Sequence, residues 1–221
     1  MPPVFVPDRP AYSRAERMSD AVVHVAGLAA VAAAVPVLIV LAAQVRGDAA
    51  AVFGTAVYGA SLGAMILCSA LFNMIPRPDW AWVLQRLDHA AIYLKIAGTY
   101  TPFVLLTGQG GALAVMVWIA AALGVALKTV SPRRFRPLAI GLYLAMGWAG
   151  VLAGQDMLAA LPGPVLALML TGGALYSLGV AFYLWERLRF HYTIWHVCVL
   201  AASMLFYSAV LVLTISPAPV A

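Results

Sequence analysis

Long apolar runs separated by short polar ones set the pattern of this chain, at 21–44, 51–74, 88–107, 112–127, 138–154, 164–185 and 192–215. Each is near the roughly 20 residues a helix needs to cross a hydrocarbon core. The two shortest, 112–127 and 138–154, reach that length only with their flanks. None of the runs alternates with period two, and backbone in lipid must satisfy its own hydrogen bonds, so helices are expected rather than a barrel. The pattern predicts an all-α integral membrane protein, a seven-transmembrane helix bundle occupying 21–215. Residues 1–20 form a polar, Pro-rich segment before it and 216–221 a short tail after it, and nothing calls for a second domain. The first apolar run exceeds the 7 to 15 residues typical of a secretion signal and no clear small-residue cleavage site follows, so no signal peptide is expected.

Composition agrees: 64% of residues are hydrophobic and 10% charged, against about 25% charged in a soluble domain. The net charge of +5 would interest nucleic acid only if it were gathered on one face of a soluble module. Instead it follows the connections. Arg9, Arg14 and Arg17 precede the first segment; Arg77 and Arg86 lie between the second and third; Lys128, Arg133, Arg134 and Arg136 between the fourth and fifth; Arg187 and Arg189 between the sixth and seventh. Eleven of the thirteen cations thus fall on one side, with Arg46 opposite and Lys95 inside the third segment. By the positive-inside rule the N-terminus is expected in the cytoplasm and the C-terminus outside, in a multi-pass protein of the cell membrane. Membrane lipids are the expected partners and nucleic acid is not. Cys68 and Cys198 both lie within spans, which favours packing over a disulfide.

Against this background the polar residues inside the spans stand out. Asp20 and His24, Ser69 and Asn73, and Tyr192 and His196 are i,i+4 pairs, each sharing a helix face. With alternating helix directions, all of these, together with Asp88 and His191, fall in the cytoplasmic third. Singly, each has an ordinary role: Asp20 or Asp88 as a helix cap, Ser69 bonded to its own helix, a histidine packed in a core. Their convergence at one depth points instead to a functional pocket, because charge in hydrocarbon costs several kcal/mol unless partnered. Lys95 follows Asp88 by seven residues, about 10 Å of helix rise. Its ammonium can reach back toward Asp88, or it can snorkel to the inner headgroups without a partner. Gly172, Gly173, Ala174 and Gly179 read as a helix-packing face.

The stretch Leu87–Phe103 (LDHAAIYLKIAGTYTPF), with YLAMGW at 143–148, GGALYSLGVAFYLWERLRF at 172–190 and HYTIWHVCVLAAS at 191–203, resembles the hemolysin III branch of the progestin and adipoQ receptor (PAQR) family. Glu16, Asp20, His24 and Gly27 resemble its N-terminal E...N...H..G signature, with Asp in place of Asn. The resemblance implies a seven-helix bundle with a cytoplasmic N-terminus. It also implies a zinc site built from one histidine in an S-x-x-x-H motif and two in an H-x-x-x-H motif, with an Asp that holds a metal-bound water. Ser69, Asp88 and His196 match that pattern, whereas Asn73 and Tyr192 occupy the other two ligand positions. Zinc is therefore a candidate only, with His196 and, through water, Asp88 as its contacts if a metal is bound. Neutral amide and phenol are poor stand-ins for imidazole. His191 is one residue off register, and His24 or His89 could complete an altered site.

Three functions remain open at this point. The first is a lipid-sensing or membrane-homeostasis factor whose pocket comprises Asp20, His24, Asn73, Lys95, His191 and Tyr192. The second, suggested by the resemblance, is a ceramidase-like hydrolase acting on a lipid amide or ester with Ser69, Asp88 and His196 as its catalytic groups. The third is a pore-forming cytolysin, for which the sequence draws no polar path across the outer halves of the spans.

Overall fold

The computed structural model describes residues 12–75, 78–130 and 135–216. Arg9, Arg77, Arg133, Arg134 and the tail beyond residue 216 lie outside the described residues. The chain forms α1 (Arg14–Leu41), prolonged by a π-helical turn at Ala42–Arg46, then α2 (Ala49–Met74), α3 (Pro78–Thr107), α4 (Gly111–Val130), α5 (Arg136–Ala153), the short α6 (Gln155–Ala159), α7 (Gly163–Leu184) and α8 (His191–Ile215). Among the described residues, seven of these helices are long and apolar enough to cross a membrane. There are no strands among them.

Two helices start well before their apolar runs, and both early starts matter for the site. α1 begins at Arg14 because Ser13 caps it: its hydroxyl accepts from the Glu16 backbone while the Glu16 carboxylate accepts from the Ser13 N–H, a reciprocal capping box. Asp20 therefore lies in the second turn and is not a cap. α3 begins at Pro78, which suits the first helical turn, with Asp79 favouring the positive end of the helix dipole. Asp88 consequently sits in the third turn, inside the helix, with its carboxylate free of any capping duty.

α2 runs along α3 and α7 along α8 as the two most extensive helix pairs, while α1 closes against both α2 and α8. Valine and leucine side chains such as Val22, Val37, Leu67, Leu123 and Leu178 remain about half or more exposed, as lipid-facing residues do. Trp80, Trp82 and Trp185 are exposed at the helix ends that also carry most of the cations, where amphipathic rings anchor to headgroups. Buried threonines return their hydroxyls to the preceding turn, as in Thr55 to the Ala51 carbonyl and Thr99 to the Lys95 carbonyl, both at 2.7 Å. Cys198 is a free thiol packed against α7, and Cys68 is likewise free.

The small-residue face expected on the sixth span is in place on α7. A Cβ at Gly172 would lie 2.9 Å from the Phe206 ring, and one at Gly179 would lie 2.9 Å from Cys198 Cβ. The backbone of α7 thus approaches α8 closely. Gly179→Val is expected to lower stability by about 1–3 kcal/mol, the usual penalty for overpacking a filled interface. Unfolding in a detergent titration measures it; an unchanged midpoint would show that the helices can separate freely.

Candidate functional site

The first turns of α1, α3 and α8 and the last turns of α2 come together at the end of the bundle that carries most of the cations. Asp20 is 8%, His24 4%, Asp88 7% and His196 7% exposed, so their polar atoms must find partners in the protein. Asp20 is the hub. Its Oδ1 lies 2.5 Å from His196 Nδ1, and its Oδ2 lies 3.4 Å from His24 Nδ1. The same His24 nitrogen is 2.8 Å from the Asp20 carbonyl, and His24 Nε2 is 3.1 Å from Ser69 Oγ. The two imidazoles meet edge to face at 4.5 Å. Asp88 lines the same end of the cavity as this group.

The expected pocket residues divide into those that join this cluster and those that flank it. Asn73 donates through Nδ2 to the Ser69 carbonyl at 2.9 Å, which turns its amide back along α2. Tyr192 meets the His196 ring in a T-shaped contact at 4.5 Å and stacks on Tyr12 at 5.6 Å. His191 sits at the margin with Nε2 3.3 Å from the Tyr12 hydroxyl, and His89 packs its ring near Phe72, 6.4 Å between centroids. Neither belongs to the Asp20 cluster. Lys95 follows neither of the two courses open to it in the sequence: it is 3% exposed, and it makes no ion pair with Asp88 among the described contacts. Its ammonium instead stands over the Tyr176 ring at 4.6 Å and the Phe206 ring at 4.8 Å, a geometry in which the ring faces attract the cation.

These groups line one continuous cavity of about 870 Å³. Its basic end is walled by Asp20, His24, Ser69, Asn73, Asp88, Tyr192 and His196; beyond Lys95 the walls become apolar, with Ile96, Phe103, Leu144, Leu166 and Met169. Sequence reasoning missed Tyr176 and Phe206, which look like ordinary apolar residues of their spans. It also missed Tyr12, which lies in a segment read only as polar and Pro-rich.

Tyr12 lies outside the spans, and burial chiefly, with the nearby Asp20 charge second, pushes its phenol from 10.0 up to about 12. A raised pKa favours the neutral phenol in the folded state, so the stability it contributes is complete below pH 10 and is lost as pH rises toward 12. Melting temperature should therefore fall less steeply over that interval in Tyr12→Phe than in the parent. Parallel alkaline profiles would exclude Tyr12 as a contributor.

The three-histidine zinc arrangement of the resembling family does not fit the residues present. The Asn73 amide nitrogen carries no lone pair for a metal and already bonds Ser69, while Tyr192 is engaged with two rings. Asp20, His24 and His196, however, each offer one donor atom, all within 4.8 Å of one another.

A family model described as Haemolysin-III related matches residues 12–207. The Hemolysin-3 of Bacillus cereus is 39% identical over 201 residues, covering 89% of this chain and 90% of that protein. The Hemolysin-3 homolog of Bacillus subtilis (strain 168) is 37% identical over 199 residues, 89% of this chain and 93% of its own length. With seven apolar spanning helices, this is a multi-pass protein of the cell membrane, and it belongs to the haemolysin-III family, a branch of the PAQR proteins.

Proposed function

We propose that this haemolysin-III family protein is a lipid-sensing or membrane-homeostasis factor that takes a single membrane amphiphile into its cavity, entering from the cytoplasmic leaflet. The observation that carries the reading is the cavity itself, about 870 Å³ with polar walls at one end and apolar walls at the other. Ligand pockets fall around 300–1,000 Å³, and this two-part lining matches a headgroup joined to an acyl chain. The clustering of cations at the polar end supports placing that end in the cytoplasm. Lys95, standing where the lining changes character, adds a fixed positive charge suited to an acyl carbonyl or carboxylate oxygen.

Ile96→Trp, which fills the apolar arm, tests the reading. Mass spectrometry of lipid extracted from the purified protein should show about one tightly held amphiphile per chain in the parent and much less in the variant. Equal amounts in both would mean that the lipid is only peripheral.

A second reading, hydrolysis of a lipid amide or ester, draws support from the order Ser69 Oγ, His24 and Asp20: His24 Nε2 is 3.1 Å from the Ser69 hydroxyl, and the Asp20 carboxylate lies 3.4 Å from His24 Nδ1. A hydroxyl, an imidazole and an orienting carboxylate in that sequence are the parts of an activated nucleophile. Release of fatty acid by the purified protein, abolished in Ser69→Ala and Asp88→Ala, would establish it; no release from lipid amides or esters would set it aside. A cytolytic pore has less support, since Phe103, Val151, Leu158 and Leu166 line the far end of the cavity. Liposomes carrying the protein should retain a trapped dye.

A further inference from the structure

Two buried carboxylates, Asp20 and Asp88, share the polar end of the cavity, and among the described residues neither makes an ion pair with lysine or arginine. The Lys95 ammonium, the cation nearest along α3, is taken up by two aromatic rings. What faces the carboxylates is imidazole: His24 and His196, both more than nine-tenths buried. Two carboxylates and two imidazoles are thus gathered in a low-dielectric setting with no lysine or arginine paired to them, a place where a bound cation would be stabilised.

We infer that Asp20, His24 and His196 form a binding site for a divalent transition-metal ion. The three residues supply one carboxylate oxygen and two imidazole nitrogens, the donor types such ions prefer. Their donor atoms lie within 4.8 Å of one another. Tetrahedral zinc with bonds near 2.0–2.1 Å spaces its ligands about 3.3 Å apart, so side-chain rotations of about 1 Å bring the set into register. Asp20 and His24 are one turn apart on α1, and that helix fixes their relative placement; α8 brings His196 to them. The His24 ring is held on both sides, by the Asp20 carbonyl at 2.8 Å and the Ser69 hydroxyl at 3.1 Å. Whichever nitrogen takes the ion, the other keeps an orienting partner, as metal-bound histidines usually do. One divalent ion would balance the charges of Asp20 and Asp88 together.

This site differs from the family's three-histidine set. It uses the Asp that stands in place of the signature Asn, and it leaves out Asn73 and Tyr192. That difference makes it testable independently of whether the cavity holds lipid or turns it over. The full chain, purified in detergent and stripped with chelator, is incubated with Zn2+ or Co2+ and assayed by elemental analysis and by cobalt absorption. About one ion per chain is expected, with affinity lowered roughly 100-fold or more in Asp20→Asn, His24→Ala and His196→Ala. Asn73→Ala and Tyr192→Phe should bind as the parent does. X-ray absorption of the zinc-loaded parent, which needs no variant to fold, should show two imidazole ligands. No binding by the parent, binding undisturbed in all three ligand variants, loss of binding in Asn73→Ala or Tyr192→Phe, or a zinc shell with fewer than two imidazoles would each overturn the assignment, leaving a hydrogen-bonded network only.

Discussion

Lys95→Met should give a protein more stable than the parent, by about 1–3 kcal/mol, yet one that holds anionic or carbonyl-bearing amphiphiles at least about tenfold more weakly. The stability gain follows because a buried charge without a carboxylate partner is expensive, and replacing it with an apolar side chain of similar volume is often neutral or stabilising. Methionine fits the space between Tyr176 and Phe206, where Lys95 now lies 4.6 and 4.8 Å from the ring centres, and sulfur packs well against aromatic rings. The affinity loss follows because the ammonium is the cation at the point where the lining turns apolar. Chemical unfolding and lipid binding, measured on the same preparation, check both halves. A variant less stable than the parent would mean that Lys95 neutralises a carboxylate after all.

Asp20→Ala should act in the opposite direction, lowering stability by about 1–3 kcal/mol, the cost of leaving a buried polar group without its partner. The carboxylate joins α1 to α8 through His196 at 2.5 Å and lies 3.4 Å from His24 Nδ1 on its own helix. Its removal leaves His196, only 7% exposed, without a partner for Nδ1, while His24 keeps its bonds to the main-chain carbonyl of residue 20 and to Ser69. Asp20→Asn, which keeps an acceptor oxygen, should lose much less. Unfolding midpoints in mixed detergent separate the two; equal losses would show that charge, and not hydrogen bonding, holds the cluster.

Much of this architecture is legible in the sequence because lipid imposes a simple rule. Seven apolar stretches of nearly the right length could only become helices, and their order brought Asp20, His24, Ser69 and His196 to one depth. Where helices begin was harder to read. Hydropathy stops at the apolar edge, whereas α1 extends to Arg14 on a capping box and α3 to Pro78 on a polar first turn. The five-residue α6 carries no span-like pattern, although its Met157 is fully buried. Within the site, the i,i+4 pairs gave the correct faces, but partners from different helices were beyond local pattern. Nothing near Lys95 in the chain announces Tyr176 or Phe206. Asn73 and Tyr192 stand at matched positions, yet the structure uses one to brace Ser69 and the other to stack on Tyr12. Asp20, which the sequence allowed as a helix cap, is the residue on which the cluster turns.

The claim that the cavity is a lipid site with its polar end at the Asp20 cluster is tested most directly by an experimental density map of the protein purified from membranes. Elongated density is expected that starts among Asp88, Asn73, Tyr192 and His196, passes Lys95 and continues along Ile96 toward Phe103. A cavity closed by inward-turned side chains, or one holding ordered water alone, would contradict it.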